Sequence, residues 1–242
     1  GIIGNELITE HLHPNIQGYR LMATTFGKAL NNHFFNQQKE FTVSNGPVNA
    51  FDSLYAEIGL TYLKSRWPFS TSRKEINPIT RFNNPSIEFK YAAMVFNNEM
   101  SRQQAEIELF EHYMKTKKLN EALKTARSMR LRYPHRAYSH ELTGEVQLQL
   151  GKPETASKHY RNALHIFNHD KNYSAEQANQ IAQKAGMAAI QANQMEVAKQ
   201  CFMGVLARDK DNQAAIGFTF LINKYQVYNP FQKSTIKMLV LF

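Results

Sequence analysis

A chain of 242 residues, 43% of them hydrophobic, is long enough to bury a sizeable core in one or two globular domains, which excludes a disordered polypeptide. Its formal charge of +9 admits an acidic partner, but much of the excess sits in Lys115, Lys117, Lys118, Lys124, Arg127, Arg130, Arg132 and Arg136, with no interleaved exposed aromatics and no nucleic-acid motif, so we read a solvated helix face and expect no nucleic acid partner. No run approaches the ~18 apolar residues of a membrane span, and the single cysteine, Cys201, permits no intramolecular disulfide.

The first residues, Ile2 to Thr9, are apolar and too few to form a sheet alone. A Pro14-Asn15 turn and Gly18 then lead into a predicted helix with Leu21, Met22, Thr25, Phe26, Ala29 and Leu30 on one face. The words EHLHPNIQGYRLMA resemble the closing block of SGNH/GDSL hydrolases, where an acidic residue precedes the catalytic histidine by three positions and HPN leads to Gly-Tyr at the start of the final helix. The resemblance implies that His13 is the general base that deprotonates a serine and that Glu10 is the carboxylate orienting its imidazole. A turn of that length brings a carboxylate to the Nδ1 side of the ring and leaves Nε2 facing the nucleophile. Glu10 departs from the family's usual aspartate, and the extra methylene changes its reach. By the same resemblance the serine, and the glycine and asparagine of the oxyanion hole, lie in blocks upstream. Residues 1–35 are therefore expected to be the C-terminal remnant of an α/β hydrolase-type domain in a longer protein, silent by themselves. Phe51-Asp52-Ser53-Leu54 imitates the family's serine block, but it follows His13 and lacks the preceding glycine that lets a nucleophile turn bend sharply, so Ser53 is read as non-catalytic.

Asp52, Leu54, Tyr55, Ile58 and Tyr62 instead predict a helix over 50–65, with Asp52 or Ser53 near its start. It ends before Trp67-Pro68, because the residue before proline avoids the α region. Residues 70–85, with Pro78 and Pro85, read as a long loop that is either disordered or packed as a flap by Trp67, Phe69 and Phe82. Ile87, Tyr91, Met94 and Val95 mark a further helix ending near Asn97-Asn98. Residues 36–100 are thus linker and packing helices.

From Ser101 the pattern becomes periodic. In residues 137–168, Gly144, Ala156, Tyr160 and Ala163 are separated by 12, 4 and 3 residues, and Gly151 with Pro153 punctuates two amphipathic runs. Small residues suit a close crossing of two helices, since a larger Cβ substituent holds the backbones apart, while Tyr160, Leu164 and Phe167 fill the space beside it. This stretch resembles a tetratricopeptide (TPR) helical hairpin. A first repeat over 101–134 carries Leu109, Tyr113, Ala122, Ala126 and Pro134, and Ala122 stands 34 residues before Ala156, which equals the TPR period. Phe110 occupies a position where a small residue is usual, so this hairpin is expected to splay. A third repeat over 175–211 carries Gly186, Ala198 and Phe202 with the same 12 and 4 spacing but an offset of 42, and the extra eight residues are expected in the polar loop NHDKNYSA. A helix over 212–228, with Ile216, Phe220 and Leu221, is expected to cover the end of the stack; residues 229–242 read as an apolar tail. Cys201, one turn from Val197 and Val205, is expected to pack as an apolar side chain.

The expected fold is all-α, a TPR-like helical-hairpin solenoid preceded by the hydrolase-type remnant. By the TPR resemblance the first helices of the hairpins line a concave groove for a protein or peptide segment, with His140, Thr143, Gln147, Gln183 and Met187 pointing outward into it. The expected function is protein–protein interaction or scaffolding within a larger protein. The alternative is that of the parent, an SGNH/GDSL serine esterase whose nucleophile lies upstream and whose hydrolase domain the repeats brace. A third reading makes HLHPN a plain turn ahead of a helix. Such a protein fits a bacterial envelope as well as a cytoplasm. The pairs His165/His169 and His11/His13 lack a third ligand of suitable spacing, and neither GxGxxG nor GxxxxGK[ST] occurs, so no metal or cofactor is expected.

Overall fold

The computed structural model describes residues 6–9, 13–35, 46, 48–66, 68–71, 77–170 and 173–228. Among the described residues the chain is all-α, with ten α-helices and only an isolated bridge between Ile8 and Pro14 in place of a sheet. It divides into two compact units, residues 1–46 and 47–242. The predicted roles of Glu10, Trp67 and the tail 229–242 fall outside the described residues.

The first unit is built around α1 (Ile16–Leu30), which runs on into one π-type turn, Asn31–Phe35. Asn15 caps α1, its side-chain oxygen accepting from the N–H groups of Gln17 and Gly18 at 2.9 and 3.0 Å. These are donors that a helix start leaves unsatisfied. The same side chain donates to the Glu6 carbonyl at 2.8 Å, tying the incoming chain to the helix. Gly18 is buried beneath the Leu7 carbonyl, where any Cβ would collide with that oxygen and with Pro14. The apolar face predicted for this helix exists but meets water: Leu21, Met22, Phe26 and Leu30 are all exposed.

The second unit is a string of helices: α2 (Ala50–Lys64), α3 (Ile87–Phe96), α4 (Arg102–Lys115), α5 (Leu119–Arg132), α6 (Ala137–Gln149), α7 (Pro153–His169), α8 (Ala175–Gln191), α9 (Met195–Arg208) and α10 (Gln213–Tyr228). Each packs chiefly on its neighbours in sequence. Between α2 and α3 the predicted loop holds a short 3₁₀ turn, Pro78–Arg81, and Phe82 packs on Phe89 with ring centroids 5.4 Å apart.

Three hairpins, α4–α5, α6–α7 and α8–α9, are closed by turns of three residues each. The central residue of each turn, Lys117, Gly151 and Asn193, has a positive φ of 59°, 70° and 61°. These residues stand 34 and 42 positions apart, the same offsets as the small residues at the crossings. The last residue of each turn donates back across the helix end, Lys118 to Tyr113, Lys152 to Gln147 and Gln194 to Ala189, at 2.8, 2.9 and 2.8 Å. That pattern is a Schellman motif, which satisfies the last carbonyls of the first helix and turns the chain for the second.

The crossings follow from side-chain volume. A Cβ on Gly144 would lie 2.8 Å from Tyr160 Cε1, and one on Gly186 would lie 2.7 Å from Phe202. Each glycine admits one aromatic ring, and both rings are almost completely buried, at 2% and 0% exposure. In α4–α5 the crossing carries Phe110, itself 2% exposed, and the two helices meet less extensively than α6 and α7 do.

Two expectations need correction. The eight extra residues of the third period do not form a polar loop. Compared with α5 and α6, α7 is three residues longer and α8 four, so the insertion adds about a turn to each helix. A helical extension keeps its backbone hydrogen-bonded, where a loop leaves it to water. In α10, the residues turned to the core are Ala215, Phe218 and Ile222, while Ile216 and Phe220 are 42% and 64% exposed.

Gly144→Ala tests the crossing. Alanine favours a helix interior by about 1 kcal/mol over glycine, but overpacking against a fixed ring costs about 1–3 kcal/mol. Denaturant unfolding is expected to show Gly144→Ala destabilised and Gly59→Ala, with open space around its Cβ, stabilised. Equal effects at the two positions would contradict the crossing argument.

Candidate functional site

Helix α6 runs between α5 and α7, and that position decides which side chains it offers. Because Gly144 must face Tyr160, the turns on either side of it are also covered. Thr143 and Gln147 are buried, at 1% and 3% exposure, and so do not point outward as expected. Thr143 Oγ1 donates to the Ser139 carbonyl at 2.8 Å, and Gln147 Oε1 has no partner. His140 is half-buried with its Nδ1 enclosed and unpaired. What α6 presents to solvent is the strip Glu141, Glu145 and Gln149, spaced by four residues.

Helix α8 continues that strip. Lys184 Nζ donates to Glu141 Oε1 at 2.6 Å, so the two first helices lie side by side at this surface. Gln183 is half-buried and donates through Nε2 to Asn212 Oδ1 at 3.0 Å; Met187 is half-buried against the core formed by α8, α9 and α10. The structure therefore brings Gln183 and Met187 to a partly exposed face and takes Thr143 and Gln147 away from it.

The most elaborate polar site lies elsewhere, where α2 meets α4 and α5. Asn49 caps α2 by accepting from the Asp52 N–H at 2.8 Å, which leaves Asp52 in the first turn with its carboxylate free to reach across. That carboxylate pairs with Arg102 of α4, and with Arg132 and Ser128 of α5 at 3.0 Å each. Glu106, fully buried one turn beyond Arg102, accepts from Arg102 Nε at 3.3 Å and Arg132 Nε at 3.2 Å. The Arg102 guanidinium also lies over the rings of Phe51 and Tyr55, 5.2 and 5.1 Å from their centroids. Two guanidinium groups and two carboxylates thus balance within one cluster.

An open pocket of about 390 Å³ borders this cluster, lined by Val48, Asp52, Arg102, Ser128, Leu131 and Arg132. Its donors are committed to internal partners, and Ser128 Oγ donates to a carboxylate, with no imidazole among the described lining residues to take its proton. The arrangement is a clamp that joins α2 to the first hairpin, and it lacks the base and oxyanion donors of a nucleophilic centre. Sequence reading missed it because Asp52 and its α5 partners are 76 and 80 residues apart. The Ser53 hydroxyl, read as non-catalytic, donates to the Asn49 carbonyl at 3.3 Å.

In the first unit, Thr9 donates to the His13 carbonyl at 2.8 Å and Asn15 to the Leu7 carbonyl at 2.8 Å, so the loop carrying His13 is closed at its base. His13 itself is exposed. Cys201 is buried, and burial pushes its thiol up, as an apolar packing role requires. Among the described residues no group of three His, Cys, Asp or Glu side chains is placed to hold a metal ion, and no helix is long and apolar enough to cross a membrane. No protein-family model matches the chain, and no curated protein is found to be similar to it.

Two buried ionisable groups give stability a pH dependence of opposite sign. Burial, with Arg130 beside it, pushes His159 down to about 4, so the folded state holds it neutral while the unfolded chain protonates below about 6.5. Its contribution is lost as pH falls from 6.5 to 4. Burial raises Glu106 in spite of Arg132 and Arg102, so its charged form opposes folding above the unfolded carboxylate range and that penalty is relieved on acidification. Denaturant unfolding at pH 7 and pH 4.5 is expected to show His159→Gln gaining on the parent protein at the lower pH, and Glu106→Gln falling behind it. Either difference moving the other way would contradict the assignment.

Proposed function

We propose that residues 101–228 act as a TPR-type protein-interaction module that receives a peptide or protein segment on the face formed by its first helices. The observation that carries this reading is the repeated turn: Lys117, Gly151 and Asn193 take the same backbone conformation and the same closing hydrogen bond at offsets of 34 and 42 residues. The paired crossings at Gly144 and Gly186 support it further. Repeating hairpins set their first helices side by side, and such a row offers a long surface to an extended ligand. The strip of Glu141, Glu145, Gln149, Gln183, Lys184 and Met187 is mixed in charge with one thioether, which suits a segment bound through hydrogen bonds and a few apolar contacts.

Retention of specific proteins on the immobilised chain is the expected result, with loss of at least tenfold, about 1.4 kcal/mol, when Gln183, Lys184 and Met187 are replaced together by alanine. Undiminished retention by a triple variant of unchanged helical content would place the ligand on another surface.

A second reading attaches to the first unit. The closed loop bearing an exposed His13, the Asn15 cap, the buried Gly18 and the solvent-facing apolar stripe of α1 are what the last loop and helix of an SGNH-type hydrolase domain require, since that helix packs its stripe against the rest of its domain. We propose that His13 serves as general base when a serine nucleophile is supplied by sequence preceding this block, with Glu10 orienting it. On this reading the 242-residue chain hydrolyses p-nitrophenyl acetate no faster than its His13→Ala variant. His13-dependent turnover by the chain itself would contradict the upstream nucleophile.

A further inference from the structure

An imidazole pair and three further basic side chains within electrostatic range of it come from three consecutive helices, with no carboxylate among the five. Arg127 and Arg130 come from α5, His140 from α6, and Lys158 and His159 from α7. The two imidazoles lie 5.8 Å apart between centroids, tilted by 35°, and the Nδ1 atom of each is buried with no hydrogen-bond partner. Arg130 stands close enough to act on both rings, and Arg127 and Lys158 act on His159. The charges that act on these two imidazoles are all positive.

Other arginines of the second unit show what is missing. Arg102 and Arg132 each reach two carboxylates, and Arg208 donates to Asn179 at 2.7 Å. Arg130 is half-buried and has no ion pair among the described residues; burial and the neighbouring Arg127 hold its guanidinium below the ordinary range. Like charges gathered in a partly desolvated site oppose folding, and so does each buried ring nitrogen left unpaired. One ligand removes both deficits if it carries negative charge and several acceptor oxygens.

We propose that Arg127, Arg130, His140, Lys158 and His159 form a binding site for a phosphate group. A guanidinium fork pairs two oxygens of a tetrahedral oxyanion, the imidazoles supply N–H donors, and Lys158 adds a point charge at the rim. A metal cation is the wrong occupant, because three permanent positive charges oppose it and no carboxylate balances them. This site belongs to α5, α6 and α7 and does not rest on the peptide-binding reading, since Gln183, Lys184 and Met187 take no part in it.

The test is a titration of the whole chain with sodium phosphate against sodium chloride at matched ionic strength, followed through the histidine Cε1–H signals. A bound phosphate anion favours the imidazolium, so the midpoint of His159 is expected to rise by at least one pH unit, with half-saturation at or below about 1 mM. Arg130→Gln is expected to abolish the response. Lys158→Gln, at an exposed position, is expected to weaken it at least threefold and serves if Arg130→Gln unfolds. Lys115→Gln, the same charge change outside the cluster, is expected to leave it intact. Parallel titrations with O-phosphoserine and a phosphoserine peptide separate a free phosphate from one carried on protein. A His159 signal that responds no more to any of these phosphates than to chloride, or that responds equally in Lys115→Gln and Lys158→Gln, would overturn the site.

Discussion

The close approach of a glycine to an aromatic ring is the constraint on which the second unit depends. Tyr160 over Gly144 and Phe202 over Gly186 fix the distance and rotation of each helix pair, since neither ring has room for a Cβ beneath it. Fixing those rotations decides everything else on α6 and α8. It buries Thr143 and Gln147, turns Glu141 and Lys184 to the surface, and sets Ser157 Oγ of α7 within 3.1 Å of the Ala185 carbonyl on α8. The helix ends then need a turn that reverses the chain in three residues. The left-handed residue and its backward hydrogen bond provide it at the same place each time, although lysine at position 117 accepts a conformation that favours glycine.

Polar burial does a second kind of work, which is to join unlike elements. The first hairpin has Phe110 where the others have a small residue, and its neighbour α2 lies far away in sequence. Apolar contact alone leaves such a junction free to slide, because it is non-directional. The Asp52, Arg102, Glu106, Ser128 and Arg132 network gives it direction, with Tyr113 donating to Glu88 at 2.6 Å and Tyr91 to Glu108 at 2.8 Å between α3 and α4. The buried Glu106 Oε2 without a partner marks the cost of that arrangement. Where α5 faces α6 and α7 with basic groups that have no such partners among the described residues, on the side of His140 and His159, the deficit points to a ligand instead.

The parts legible in sequence are those set by local chemistry. Ser101 before α4, Asn97 after α3 and the glycine–aromatic spacing of 12 and 4 residues each report a short-range requirement, and helices stand at those places. What was not legible depends on partners distant in the chain. Asp52 reads locally as a helix-start residue, and nothing near it announces Arg132. Outward direction on α6 is not legible, because polar character does not imply exposure; Thr143 satisfies its hydroxyl within its own helix and so is buried cheaply. The place of the eight-residue insertion is not legible for a related reason, since a polar stretch is as compatible with a longer helix as with a loop. The α1 stripe is legible as a helical face, but the exposure of its side chains is not.

The account stands on the glycine–ring crossing, and a double-mutant cycle isolates it. Unfolding free energies of the parent chain, Gly144→Ala, Tyr160→Leu and the double variant give the coupling between the two positions directly. The crossing predicts that the alanine is tolerated once the ring is gone, with a favourable coupling of about 1 kcal/mol or more. Additive effects, with alanine as costly beside leucine as beside tyrosine, would contradict it and remove the physical basis for the repeated hairpins.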